Sequence, residues 1–360
     1  MNAIESLAQL GTSTWLDDLS RDRIESGNLA EVIAQKSVVG VTTNPAIFAA
    51  AMSKGTAYDA QIAQLREANA TPDEAVYAMS IEDVRNACDI FAEIYQKTNG
   101  VDGRVSIEVD PRISEDADAT LAQARHLYQE VGRENVMIKI PATPGSIPAI
   151  VAALGEGISV NVTLIFSVAR YLEVINAFIE GIQLAAENGH DVSTIHSVAS
   201  FFVSRLDTEV DARLSEIGTE EALALRGKAG VANARLAYAA FTEHSELENL
   251  PAGANIQRPL WASTGVKNPE YSPTLYVSEL AGENTVNTMP EATIDAVLAA
   301  DDVHGDTLKG TRAEAEEVMA ALSEVGIDFA DVFAVLEREG VEKFVAAWQD
   351  LLDSMEQKLN

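Results

Sequence analysis

Along the chain, short runs rich in β-branched and apolar residues alternate with longer stretches whose apolar positions recur at helical spacing. The runs are "STWLDDL" (13–19), "VVGVTTNP" (38–45), "VSIEVDP" (105–111), "VMIKIPA" (136–142), "GISVNVTLIF" (157–166), "SVASFFVSR" (197–205), "RPLWASTG" (258–265) and "NTVNTMP" (284–290). The stretches between them carry helix signals. "TPDEAVYAMSIEDVRNACDIFAEIY" opens on a Thr-Pro start and holds a second capping signal in "SIED". Near the end Val341, Phe344, Val345, Trp348, Leu351, Leu352 and Met355 fall on one helical stripe, which reads as a face packed on the rest of the domain.

Eight strand-like runs separated by helices predict an α/β fold, a (β/α)8 TIM barrel with additional helices. Two connections, 46–104 and 206–257, are too long for plain strand-to-helix units and read as helical insertions. An N-terminal helix precedes the barrel, further helices follow residue 290, and no Pro/Gly/Ser-rich linker divides the chain, so a single domain over 1–360 is expected. A doubly wound open sheet shares the alternation, yet it announces a glycine-rich phosphate turn after its first strand, and "WLDDLSRDR" has none.

Successive side chains of a barrel strand point alternately to the helices and to the interior, which allows the runs to be sorted. Val136, Ile138 and Ile140 take the helix-facing parity and leave Lys139 inside. Val105, Ile107 and Val109 leave Ser106, Glu108 and Asp110; Ile158, Val160, Val162 and Leu164 leave Asn161 and Thr163. The same sorting turns Asp17, Asn44, Ser200 and Phe202 inward. Most of these polar residues sit toward the C-terminal ends of their strands, where barrel active sites lie. One buried lysine alone could be a snorkelling side chain or half of a structural ion pair. Inward Asp17, Asn44, Glu108, Asn161, Thr163 and Ser200 beside it are better explained by a polar pocket, because burying so many without a ligand is costly.

Burial favours the neutral amine of a lysine, which can attack a carbonyl and form a Schiff base. The iminium is an electron sink for making or breaking the adjacent C–C bond. That chemistry needs a base for a hydroxyl proton and a second acid/base for the water lost and regained. Asp17 and Glu108 suit those tasks, Thr163 suits the positioning of a water, and Asn44, Asn161 and Ser200 suit sugar hydroxyls. No cofactor is called for. His126, His190, His196, His244 and His304 are scattered without metal-ligand spacing, so no metal is expected, and His196 reads as structural.

Composition narrows the partners. A formal net charge of −31 disfavours nucleic acid and anionic membranes, which require a basic surface. An anionic substrate would have to be met by a few well-placed cations; Arg205, ending the sixth run, and Lys267, just beyond the seventh, are the candidates. Cys88 stands alone, so no internal disulfide forms, and it reads as a small packed residue. No apolar run is long enough to span a membrane and "MNAIESLAQLG" lacks the features of a signal peptide, so a cytoplasmic location is expected.

With these residues in place, the chain resembles the transaldolases, in the branch found in actinobacteria and similar bacteria. The likeness rests on "WLDDLSR", "GVTTNPAIF", "SIEVDPR", "VMIKIPAT", "GISVNVTLIFS", "VASFFVSRLD" and "LWASTGVKNP", in the family's order over about residues 10–290. The resemblance implies a cofactor-free enzyme of the non-oxidative pentose phosphate pathway. It would move a dihydroxyacetone unit from sedoheptulose 7-phosphate to glyceraldehyde 3-phosphate, giving erythrose 4-phosphate and fructose 6-phosphate. It implies the Schiff base on Lys139, acid/base work at the donor C4 hydroxyl for Asp17, and a catalytic water held by Glu108 and Thr163. Donor hydroxyls fall to Asn44, Asn161 and Ser200, phosphate to Arg205, and the pocket wall to Phe202. Where other branches carry an arginine after the seventh strand, "STGVKNP" offers Lys267. The rival readings are a simple class I aldolase acting on fructose 6-phosphate, and a non-catalytic barrel that binds sugar phosphates. A monomer or homodimer is expected.

Overall fold

The computed structural model describes residues 2–360. Eight strands, β1 (Thr12–Leu16), β2 (Gly40–Val41), β3 (Arg104–Glu108), β4 (Val136–Pro141), β5 (Val160–Ile165), β6 (Ser197–Phe202), β7 (Gln257–Ala262) and β8 (Thr285–Met289), close into a barrel in chain order. Every neighbouring pair is parallel, β8 returning to β1. Parallel neighbours require a crossover, and helices on the outside supply it. The fold is the α/β TIM barrel that the alternation predicts.

Two apolar layers hold it. Val105, Ile107, Val136, Ile138, Ile140, Ala199 and Phe201 belong to the layer between strands and helices. Trp15, Met137, Val198, Leu260 and Val286 belong to the other layer, which fills the barrel's lower interior. The Trp15 ring lies against Gly40, where an added Cβ would meet its ring atoms at 2.7 Å, so only glycine fits there. Above this indole, toward the C-terminal ends of the strands, the interior turns polar, while at the opposite end Trp15 donates to Asp102, which also pairs with Ser13 and Arg258.

The inward parity of Lys139, Glu108, Asn161 and Thr163 is as expected, and pairing aligns Glu108 with Lys139, Lys139 with Asn161, and Pro141 with Thr163. Leu164 departs from it. The register of β5 shifts between Val162 and Ile165, and Leu164 takes a left-handed backbone at φ +58°. This bulge turns Leu164 out of the helix-facing layer and into the cluster that holds Phe166 and Phe344. Asn44 also departs. The second strand has only two residues, and Asn44 lies beyond it as the N-cap of helix Pro45–Ser53.

The two long connections are helical, as expected. The first holds helices Pro45–Ser53, Asp59–Glu67 and Pro72–Lys97; the second holds Glu220–Leu223 and Ala229–Thr242 after helix Ser204–Ile217. Thr71 caps Pro72–Lys97 in a capping box with Glu74, but "SIED" starts nothing: the helix runs through it for 26 residues, with Ser80 and Ile81 buried. Burial of that helix face outweighs a local capping preference.

The last helix, Phe329–Leu359, buries Phe344, Trp348, Leu351, Leu352 and Met355, while Val341 and Val345 are half-buried. It packs on Pro45–Ser53, Asp59–Glu67 and Pro72–Lys97 and reaches the C-terminal end of β5. Trp348 meets Tyr77 at a ring separation of 5.0 Å. Among the described residues, no helix is long and apolar enough to cross a membrane.

Candidate active site

Lys139 projects from the upper half of β4 with only 6% of its side chain exposed. Its Nζ donates to the Thr43 carbonyl at 2.7 Å and lies 3.4 Å from Glu108 Oε2, on a side chain equally buried. Thr43 lies two residues beyond the end of the short β2, where its main-chain oxygen is turned to the amine. Of the ten residues expected from the sequence, all but Glu108 and Asn161 line one cavity of about 130 Å³ above this pair. Its charged wall consists of three cations, Lys139, Arg205 and Lys267, and one carboxylate, Asp17, in a chain whose formal charge is −31. An anion is thereby favoured locally against the overall field.

Asn161 is fully buried beside Lys139. It accepts from Ser200 Oγ at 2.7 Å and donates to Ser106 Oγ at 3.2 Å, so it fixes the Ser200 hydroxyl at the cavity wall. Asn44 uses its side-chain oxygen to accept the Ile47 N–H at 2.9 Å, an N-cap that leaves its amide nitrogen as the group for a ligand. Among the described residues, Glu108 Oε1, Thr163 Oγ1 and Arg205 Nη1 are buried without a hydrogen-bond partner, and Glu108 Oε2 has only the Lys139 ion pair. Such atoms lining one site are costly unless a ligand or water completes them.

Burial raises the Asp17 carboxyl above the usual carboxylate range, opposed by the Lys139 charge and a hydrogen bond from Thr42. Burial likewise raises Glu108, with Lys139 again opposing. Arg205 is lowered by burial, with Glu108, Asp17 and Glu339 pulling the other way. Two carboxyl groups held above their usual range beside a buried lysine are suited to proton transfer.

Thr42, Thr288 and Phe344 also line the cavity; none is among the expected site residues, and Phe344 reads in the sequence only as part of the packed helical stripe. Thr42 Oγ1 donates to Asp17 Oδ1 at 2.8 Å and is itself in contact with Thr288. The signal for Thr42 was its place in "TTNP"; for Thr288 it was inward parity in the last run. Thr42→Val removes a donor to the ionised carboxylate. The acid limb of the pH–rate profile is expected to move up by about one unit, which kcat/KM measured against pH will show.

Phe202 lies 5.2 Å from Phe166, and the Arg205 guanidinium sits 5.0 Å above the Phe202 ring. Lys267 is exposed at the rim, on a segment tied back to helix Ser204–Ile217 by Tyr271, whose hydroxyl donates to Asp211 at 2.6 Å. His196 is buried far from this mouth, before β6. Desolvation and the nearby Arg104 and Arg258 pull it down to about 3, so it is neutral, as suits a structural residue. Cys88 is buried and its thiol is pushed upward by burial. Among the described residues, no group of three or more His, Cys, Asp or Glu is arranged to hold a metal.

Comparison with known proteins agrees with this geometry. Residues 14–355 match the family model described as transaldolase/fructose-6-phosphate aldolase. The chain is 59% identical to a transaldolase of Mycolicibacterium smegmatis over 99% of its own length and 97% of the relative's. It is 58% identical to one of Mycobacterium leprae (99% and 96%) and 57% identical to one of Mycobacterium bovis (97% and 95%). With both the barrel and nearly the whole length matched, the chain belongs to the transaldolase/fructose-6-phosphate aldolase family.

Proposed function

We propose that Lys139 is the Schiff-base lysine of a transaldolase, with Asp17, Glu108 and Thr163 as its proton-handling partners. Transaldolase activity, in the pentose phosphate pathway, is the function that goes with the family. The assignment of roles rests above all on a buried amine, 3.4 Å from a carboxylate, surrounded by buried polar atoms that lack partners.

In this reading the Lys139 amine adds to the C2 carbonyl of sedoheptulose 7-phosphate. Loss of water, exchanged through Glu108 and Thr163, gives the iminium. Asp17 takes the C4 hydroxyl proton, the C3–C4 bond breaks, and its electron pair moves into the iminium to give an enamine. Erythrose 4-phosphate departs. The enamine carbon attacks the aldehyde of glyceraldehyde 3-phosphate, Asp17 returns the proton, and water releases fructose 6-phosphate. Asn44, Asn161 and Ser200 hold donor hydroxyls, Phe202 forms the wall, and Arg205 and Lys267 bind phosphate. Such substrates are cytoplasmic, and the proposal places the protein there.

The rival within the family is a simple aldolase that releases free dihydroxyacetone. Without an acceptor, fructose 6-phosphate is expected to give at most one dihydroxyacetone unit per site, retained on the enzyme, while added erythrose 4-phosphate restores multiple turnover. Sustained release of free dihydroxyacetone with no acceptor would overturn the transferase reading.

A further inference from the structure

The guanidinium of Arg205 lies over two aromatic rings from distant parts of the chain. Phe202, at the end of β6, is 5.0 Å away, and Phe344, from the last helix, is 6.0 Å away. Phe344 is 7% exposed and lines the same cavity as Lys139. Its position is tightly determined. One helical turn earlier, Gly340 lies against β5, where an added Cβ would stand 3.0 Å from Phe166 Cε2 and 3.3 Å from Leu164 Cδ2. Phe166 in turn packs on Phe202. Glu337 accepts from Arg170 at 3.2 Å, Asp331 pairs with Arg213 at 2.7 Å, and at the far end Arg66 donates to the Leu359 carbonyl at 3.1 Å.

On its outer side Arg205 also lines a second cavity of about 330 Å³, shared with Lys267 and bounded by Leu336, Glu339 and Lys343 of the same helix. Glu339 faces Arg205 electrostatically and would compete with an anion for it, but Lys343 Nζ holds Glu339 at 2.8 Å. The two cavities meet at Arg205. Both rings pack apolar surface against the guanidinium, whose paired N–H donors are the groups that bind phosphate.

We infer that Phe344 is a positioning residue for Arg205, and that the last helix thereby sets the preference for phosphorylated over unphosphorylated sugars. This rests on the reading that Arg205 binds substrate phosphate. Phe344 touches no reacting atom in this scheme; it supplies a flat, apolar face that keeps the guanidinium against Phe202 and its edge toward the substrate.

The test is steady-state kinetics of Phe344→Ala, Phe344→Leu, Phe344→Tyr, Arg205→Ala and the double variant Phe344→Ala/Arg205→Ala. The phosphorylated pair fructose 6-phosphate and erythrose 4-phosphate is compared with fructose and erythrose. For Phe344→Ala, KM for the phosphorylated pair is expected to rise about tenfold with kcat within about threefold, and values for the unphosphorylated pair to stay unchanged. Phe344→Leu, which restores volume but not the ring, should remain raised, while Phe344→Tyr should return close to wild type. Both keep the bulk of the side chain, so the test survives if Phe344→Ala unfolds. On the Arg205→Ala background, Phe344→Ala should add nothing. Equal losses on both sugar pairs, a wild-type KM for Phe344→Leu, or additive losses in the double variant would each overturn the positioning role alone. An unchanged KM in Arg205→Ala would instead remove the phosphate reading of Arg205, and this inference with it.

Discussion

Replacing Lys139 by alanine is expected to cut turnover by at least about 10⁴-fold and to abolish trapping of substrate on the protein. The amine is consumed and regenerated in every cycle of the proposed reaction, and among the described residues Lys139 is the lysine paired with both Glu108 and Thr43. With fructose 6-phosphate present, borohydride should reduce the imine to a permanent adduct, and peptide mass spectrometry should place it on Lys139. Label on another lysine, or full activity in Lys139→Ala, would remove the mechanism. Folding must be checked separately, because the substitution leaves a buried carboxylate opposite an empty place. Glu108, already raised by burial and opposed chiefly by Lys139, is expected to take up a proton when that charge is gone, so the variant should still fold. Lys139→Met, which keeps the apolar stem without the amine, provides the control: folded by circular dichroism, inactive in transfer, and unlabelled.

How far the sequence anticipates this site depends on how local each signal is. The inward set on β3, β4 and β6 follows from period-two alternation, a property of adjacent residues, and Glu108, Lys139 and Ser200 are placed correctly by it. Alternation fails where the backbone stops being a regular strand. Leu164 escapes it through a bulge with no glycine or proline to announce it, and Asn44 reaches the cavity as a helix cap rather than as a strand residue. Thr42 is harder to find, because its importance lies in one hydrogen bond to Asp17, 25 residues earlier in the chain. Phe344 is hardest of all. On its own helix it is one more position of an apolar stripe, and only the path of that helix to the end of β5 distinguishes it from Leu351, which stays in the layer between helices and barrel. Periodicity identifies a buried face without identifying its neighbour.

Asp17→Asn and Glu108→Gln should both lower turnover, by about 10²- to 10⁴-fold, yet stop the reaction at different points. If Asp17 takes the C4 hydroxyl proton, Asp17→Asn still forms the imine, and borohydride still labels Lys139 at nearly the wild-type rate while C–C cleavage stalls. If Glu108 serves the water step, Glu108→Gln slows the labelling itself. Label appearing normally in Glu108→Gln, or lost in Asp17→Asn, would exchange the two roles. The pH profile offers an independent check. Because burial holds both carboxyl groups above the usual range, kcat/KM is expected to fall on the acid side at a pH higher than an exposed carboxylate would give. Asp17→Asn should remove the part of that limb belonging to cleavage. Stability moves the opposite way. Between its unfolded and its raised folded pKa, each carboxyl binds more protons in the native state than in the unfolded chain, so stability declines as pH rises through that window. Above the window the ionised, desolvated Asp17 is a net burden on the fold, and Asp17→Asn is expected to melt higher than the wild type on the alkaline side of the acid limb while being far slower. A melting point that falls instead would mean that the contacts of Asp17 with Lys139 and Thr42 outweigh its desolvation, and the acid limb would then have to lie within the ordinary carboxylate range.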